Sequence, residues 1–377
     1  MTWIKKLLLC FFRLLPLKDD VILESHPDFS DNAGAVYQYL LKNGFNKRHR
    51  IYWLIRGTVP EELPQNVYAV PRESSSFSQE IKRLRVLYGS RFILDSNSYI
   101  QKRRKGQVRF HLGHGMPIKY VPEYTCREEI GECEAYLTLG KYWDTFYTEK
   151  AGLSSEILKP FGYPRNDILV KKRKEKISER FIIWMPTYRQ HRNHRTQTDT
   201  KYPFGMPEIG DEKQLLRLND VLGAQGLMLY FRPHPAQDLT VFQSRELSHV
   251  VIANDEYLKK RGVTLYELLG CSTALITDYS SVYFDYLLTG QPIGLTMGDR
   301  EDFFRHNSSA FDNLEELGGY RIDSFDMLLE FVRFVCDFSE TERVQYRNIM
   351  KKFHDNTDGN SSCKVIDFLR ENYGFDK

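Results

Sequence analysis

Ala274-Leu-Ile-Thr-Asp-Tyr-Ser-Ser-Val-Tyr-Phe-Asp285 is the stretch that decides the fold class. Its first four residues read as a short buried strand, and from Ser280 the apolar spacing becomes helical, so a strand feeds directly into a helix opened by two serines. A helix start leaves backbone N–H groups without intrahelical partners and carries the positive end of the macrodipole. Ser280 and Ser281 there can hold a phosphate through hydroxyl and backbone donors, and a plain N-cap is the competing reading of the same pair.

Outward from this stretch, short apolar runs alternate with amphipathic segments from Val21 onward, the pattern of parallel sheets with crossover helices. Strands are expected near 21–24, 50–55, 91–94, 108–112, 135–139 and 157–160, with helices over 33–43, capped by Ser30 or Asp31, and 141–150. After a basic linker at 171–180 a second series begins, with strands near 181–185, 228–232, 250–252, 274–277 and 293–296. Its helices fall near 212–222, 280–288 and 325–338. A chain of 377 residues is long enough for two domains of roughly 100 to 200 residues each. The expected division is an N-terminal helix at 1–18, a first Rossmann-like lobe at 19–175, a second at 176–339 and a C-terminal helical tail at 340–377. The polar segment 190–210 is too long for a tight connection and is expected as a mobile loop near the site.

A net charge of +3 is weak for a nucleic-acid binder, and the basic runs at 102–105 and 171–174 read as solvated surface. Six cysteines without C-x-x-C spacing suit free thiols in a reducing compartment. Residues 1–17 place Trp3, Ile4, Leu7, Leu8, Phe11, Leu14 and Leu15 at helical spacing, with Lys5, Lys6 and Arg13 largely off that face. The run is short of the ~20 residues needed to span a bilayer. It fits a helix lying on an anionic membrane surface, with a buried terminal helix as the alternative.

In open α/β sheets ligands collect at the carboxyl ends of the strands, so the polar residues following each strand are the candidates. These are Gly113-His-Gly-Met-Pro-Ile-Lys119, Pro186-Thr-Tyr-Arg189, Arg232-Pro-His-Pro235 and the Ser280-Ser281 pair. They are expected at equivalent edges of two lobes facing a cleft, the layout of a transferase. His114, between two glycines and before Pro117, can take a proton from an attacking hydroxyl; a structural histidine is the other reading. His234, with Arg232 close by, can stabilise charge on a transferring phosphate. Arg165, Arg189 and Arg232 suit either bidentate phosphate contacts or salt bridges. No P-loop, H-E-x-x-H helix, G-x-S-x-G elbow or complete dinucleotide fingerprint is present. His191-x-x-His194 is half a metal site without partners and reads as solvated loop. No Asp-x-Asp pair offers itself for a nucleotide-bound divalent ion, so arginine, histidine and helix dipole would take the place of metal.

Taken in order, the motifs resemble the CDP-glycerol glycerophosphotransferases of bacterial teichoic acid and capsule synthesis. They run from Glu24-Ser and Ser30-Asp-Asn through His114-Gly-Met-Pro-Ile-Lys119, Gly162-Tyr-Pro-Arg-Asn-Asp167 and Pro186-Thr-Tyr-Arg189. Arg232-Pro-His-Pro235, Thr277-Asp-Tyr-Ser-Ser281 with Phe284-Asp285, and Asp358-Gly-Asn-Ser-Ser362 complete the set. The resemblance implies an α/β fold of the GT-B type, with two Rossmann-like lobes and a cleft between them. It implies attachment to the cytoplasmic face of the cell membrane and transfer of polyol phosphate from a CDP donor to a lipid-linked glycan; from the residues themselves, no metal, no other cofactor and no nucleic acid are expected. His114 then looks like the base and His234 like a second essential histidine. Gly115, Met116, Pro117, Ile118, Lys119, Arg165, Thr187, Arg189, Arg232, Asp278, Ser280, Ser281 and Asp285 would bind substrate. The chain departs from the family pattern at Met116, where a threonine is usual, and at Leu317-Gly-Gly-Tyr320, where Pro-Gly-Pro is usual. A ribitol phosphate donor stays compatible. A nucleotide-sugar glycosyltransferase of the same fold and a non-catalytic scaffold are the rival readings.

Overall fold

The computed structural model describes residues 3–97, 100–119, 130–171, 177–189, 200–234, 237–242 and 247–376, with side chains from residue 9 onward. The His191 and His194 pair, Pro235, Cys126 and the middle of the 171–180 linker therefore lie outside the described residues. The chain forms two compact units. The first comprises 1–114, 122–167 and 354–377, and the second 115–121 and 168–353.

The first unit carries a parallel sheet of β1 (Lys18–Glu24), β2 (Ile51–Ile55), β3 (Val67–Pro71), β4 (Ser90–Asp95), β5 (Val108–His111), β6 (Ala135–Leu137) and β7 (Leu158–Lys159). The order is β3-β2-β1-β4-β5-β6-β7. Val21, Ile22, Leu23, Phe92, Ile93 and Leu94 are fully buried, as expected of strands covered on both faces. β3 is absent from the sequence expectations. It is a sheet edge ending in Pro71, and proline is tolerated there because an edge needs no donor on its outer side. Helices Asp31–Lys42, Phe77–Gly89 and Lys141–Ala151 cross over the sheet, the second opened by Ser76, whose hydroxyl accepts from Gln79 N.

The second unit repeats the scheme with β8 (Phe181–Trp184), β9 (Met228–Phe231), β10 (Val250–Ile252), β11 (Ala274–Thr277), β12 (Ile293–Thr296) and β13 (Tyr320–Ile322). All its strands are parallel and run β10-β9-β8-β11-β12-β13, the Rossmann order, with its reversal between β8 and β11. Helices Glu212–Ala224 and Phe325–Asp337 pack on it. Asp211 and Ser324 cap them by accepting from Gln214 N and Met327 N. The sequence pattern leaves out β13 and the seven-residue helices Asp255–Arg261, Leu265–Cys271 and Arg300–His306, which are too short to show a helical period.

Two expectations are corrected. Segment 200–210 is not a mobile connection in its described half, because Phe204, Met206 and Ile209 are buried in the core of the second unit. The tail at 340–377 is two helices divided between the units: Glu340–Phe353 belongs to the second, and Ser361–Tyr373 to the first. The latter is tied down by Asp167, which accepts from Ser361 N (2.8 Å), Ser362 N (3.0 Å) and Ser362 Oγ (2.8 Å), a carboxylate on the positive end of a helix. The N-terminal helix Trp3–Leu14 rests on Phe77–Gly89. Phe12 is buried against Tyr88, while Phe11 and Leu14 are 57% and 84% exposed. Among the described residues no helix is long and apolar enough to cross a membrane. Cys10, Cys133, Cys271, Cys336 and Cys363 are free thiols.

Candidate active site

At the carboxyl edge of the first sheet, β5 leads through Leu112 and Gly113 to His114. Gly113 has φ +63°, and a Cβ there would lie 3.0 Å from the Tyr163 hydroxyl, so backbone conformation and space both call for glycine. Asn32 Nδ2 donates to the carbonyls of Leu112 (3.0 Å) and Gly113 (2.9 Å), and its Oδ1 accepts from Arg165 N (3.2 Å). Arg165 Nη1 donates to the His114 carbonyl (2.7 Å) and to Asp31 Oδ1 (2.5 Å). Asn32 is fully buried and Arg165 nearly so. The open choice for Arg165 thus resolves to an ion pair that fixes the backbone of the proposed base.

The His114 side chain itself keeps solvent exposure. Desolvation by the surrounding protein nonetheless lowers its pKa below the ordinary 6.5, and His111 and Arg165 add to this. Asp31 and a hydrogen bond to the Ser96 backbone oppose it. The balance favours a neutral imidazole, the form a general base needs.

At the carboxyl edge of the second sheet, β8 and β11 flank the topological reversal. Asp278, after β11, is fully buried. Its oxygens accept from Thr187 N (2.9 and 3.0 Å) and from Arg189 Nη1 (2.6 Å). Arg189 Nε also donates to Asp299 Oδ2 (2.7 Å), and Tyr279 donates to Asp299 Oδ1 (2.9 Å). Burial opposes the charge on Arg189, and the two carboxylates more than offset it, so the guanidinium stays charged. Above this buried cluster lies a recess lined by Thr187, Tyr188, Arg189, Tyr202, His234 and Gln237. Thr187 Oγ1 is buried with no hydrogen-bond partner among the described residues. The His234 ring stacks on Tyr188 at 4.6 Å and 9°. Desolvation, and then the charge of Lys119, lower its pKa.

The remaining predicted residues divide by exposure. Lys119 pairs as a bridge with Ser309, and the Ile118 carbonyl accepts from Ala310 N (2.9 Å). Gly115 and Pro117 are half-buried and Met116 and Ile118 buried, so Met116 fills the core where a hydroxyl was expected to be missed near the base. Ser280 and Ser281 are half-buried, and the helix opens at Val282, two residues later than expected. Ser281 makes no side-chain cap bond, and the carbonyls of the two serines accept from Tyr283 N and Phe284 N. Asp285 is buried and accepts from Tyr266 Oη (2.6 Å), while Arg232 is ion-paired with Asp255 and donates to the Ala253 carbonyl. Asp285 therefore ties two helices together, and Arg232 braces the chain after β9. Sequence reasoning missed Asn32 as a clamp, Tyr188 as the stacking partner and Asp299. It also missed Glu208, whose carboxyl, packed against Gly298, is pushed up to about 7 by burial and by Asp299. Asn32 and Tyr188 had a signal, as parts of the Ser30-Asp-Asn and Pro186-Thr-Tyr-Arg189 runs, and Asp299 and Glu208 had none. Among the described residues no group of three His, Cys, Asp or Glu side chains could hold a metal ion.

Comparison with known proteins places this geometry in context. The model of the CDP-glycerol:poly(glycerophosphate) glycerophosphotransferase family matches residues 8–371. The teichoic acid ribitol-phosphate primase of Bacillus spizizenii is 22% identical, over 94% of this chain and 92% of that protein. The glycerol-phosphate primase of Bacillus subtilis is 20% identical, over 90% and 89%. Against the poly(glycerol phosphate) polymerase of Staphylococcus epidermidis the identity is 22% over 76% of this chain, and the match spans 40% of that longer protein. A structure of the wall teichoic acid polymerase TagF, a variant soaked with CDPG, superposes with a TM-score of 0.74 at 18% identity, covering 94% of this chain and 89% of that one. At that identity the likeness shows the fold: two Rossmann-like lobes of the GT-B type. With a family match running almost end to end through both sheets, the chain belongs to the CDP-glycerol:poly(glycerophosphate) glycerophosphotransferases.

Proposed function

We propose that this protein moves glycerol phosphate from CDP-glycerol to a hydroxyl of a membrane-linked glycan in teichoic acid synthesis. Family membership carries the donor, and the observation that carries the chemical step is the clamped backbone of His114 at the sheet edge, with desolvation lowering the pKa of its imidazole. The acceptor hydroxyl oxygen attacks the phosphorus that bears glycerol, and His114 takes the hydroxyl proton. The bond from that phosphorus to the bridging oxygen breaks, and CMP leaves with the electron pair. Positioning and charge stabilisation are what such a transfer asks of a protein. His234 and Thr187 in the second unit contact the donor phosphates, with Lys119, Ser280 and Ser281 contributing donors; Arg189 and Asp278 hold Thr187 in place.

Ribitol phosphate is the second reading, because the ribitol-phosphate primase matches as well as the glycerol-phosphate primase does. Incubation with CDP-glycerol, CDP-ribitol and nucleotide sugars, each with lipid-linked acceptors, decides between them. CMP release is expected with one CDP-polyol; UDP or GDP release would instead make it a sugar transferase. The protein works at the cytoplasmic membrane face, a reading supported by the exposed Phe11 and Leu14. Removing residues 1–17 is expected to abolish sedimentation with anionic vesicles, and unchanged sedimentation would refute the anchor.

A further inference from the structure

Glu24, the last residue of β1, is fully buried. Its Oε1 meets two guanidinium groups, Arg56 Nη1 at 3.0 Å and Arg72 Nη1 at 3.6 Å, and its Oε2 accepts from Asn97 N (3.3 Å). Arg56 follows β2 and Arg72 follows β3, so both project from the carboxyl edge that also carries His114. Arg56 Nη1 donates further to the Ser25 carbonyl (3.3 Å). Asp28, a neighbouring carboxylate, is folded onto the backbone, accepting from Arg56 N (3.0 Å) and Gly57 N (2.8 Å). Each arginine keeps 35% of its side chain in solvent. Two planar forks, oriented by one buried carboxylate and still reaching solvent, make an arrangement suited to phosphate.

We propose that Arg56 and Arg72 form a subsite for a phosphodiester of the acceptor. This rests on the transfer reading above, because each transfer leaves a phosphodiester behind the newly added hydroxyl. β1 and β5 are separated in the sheet only by β4. Their ends therefore lie about 10 Å apart at the usual strand spacing. An acceptor reaches from His114 to the arginines only with several atoms between its hydroxyl and its phosphate. The subsite thus selects an acceptor that already carries polyol phosphate over one that carries none.

The test uses the full chain, a short glycerol-phosphate oligomer and a glycerol oligomer of equal length without phosphate. Binding is followed by calorimetry, and kcat/KM for CMP release is measured with both acceptors. Arg72→Gln comes first, because Arg56 still pairs with Glu24 and keeps the fold; Arg56→Gln is the second variant, and melting curves check both. Oligomer binding is expected to weaken about tenfold in each, with a matching fall in the phosphorylated-to-neutral kcat/KM ratio. An oligomer that fails to bind the native protein, or binds both folded variants as tightly, overturns the subsite and leaves a structural ion pair. If the native protein releases no CMP with either acceptor while Arg72→Gln still weakens oligomer binding, the transfer reading fails and the subsite stands.

Discussion

The two sheet edges hold their candidate residues by different means. In the first unit the clamp is made largely of amide and carbonyl groups: Asn32 fastens Leu112, Gly113 and Arg165, and one ion pair, Arg165 with Asp31, closes the arrangement. In the second unit the loop after β8 sits on a buried charge cluster of Arg189, Asp278 and Asp299, with the half-buried Glu208 close to Asp299. A backbone clamp positions one ring, and the opposite charges of the Arg165–Asp31 pair act on it in opposing directions. A buried cluster fixes a loop and also sets the electrostatics of the recess above it, since fixed charges act strongly where water is excluded. The clamp around His114 therefore suits proton transfer, and the recess of the second edge suits holding the donor's anion.

The sharpest way to break this division is to remove the rings. His114→Ala and His234→Ala should each lower kcat by about 10²–10⁴-fold with the melting temperature unchanged. Near-native turnover in either variant removes that histidine from the mechanism. Because the pKa of His114 is lowered, the acid limb of kcat/KM should lie below pH 6.5. Next come the supports. Arg189→Met leaves Asp278 and Asp299 buried without their cation and should cost about 3–5 kcal/mol, whereas Asn32→Ala strips donors from two carbonyls and should cost about 1–3 kcal/mol. Chemical denaturation ranks the two, and the reverse order would contradict the contrast drawn between the edges. The smallest effect concerns Glu208. Its folded pKa, about 7, lies above the ordinary 4.5, so the folded state binds the proton more tightly than the unfolded state does. That stabilisation is complete below pH 4.5 and is lost as pH rises through 7. Glu208→Gln should remove this loss and make the variant more stable than the native protein at pH 8, by about 1 kcal/mol after allowance for solvent screening. Parallel stability curves from pH 4 to 8 would rule this out.

The parallel α/β architecture was legible because strands buried on both faces are near-continuous apolar runs, as in Val21-Ile-Leu23 and Phe181-Ile-Ile-Trp184. Strands β3 and β13 were not: β3 ends in Pro71, which reads as a break, and β13 is three residues long with the charged Arg321 at its centre. His114, His234 and Thr187 could be placed by their position after a strand. The status of Arg165, Arg232 and Asp278 could not, because whether a charged residue faces a ligand or a counter-charge depends on partners such as Asp31, Asp255 and Thr187. Those partners lie 134, 23 and 91 residues away, respectively. Glu208 was invisible for the same reason: its perturbation comes from burial, in contact with Gly298, and then from Asp299.

Asp167 waits for Ser361 and Ser362, and nearly two hundred residues are synthesised between them. During translation the second sheet can close while the first still lacks its final helix, so the unit begun first is the one completed last. A fragment cut after residue 167 would carry all seven strands of its sheet and still lack the three donors that hold Asp167.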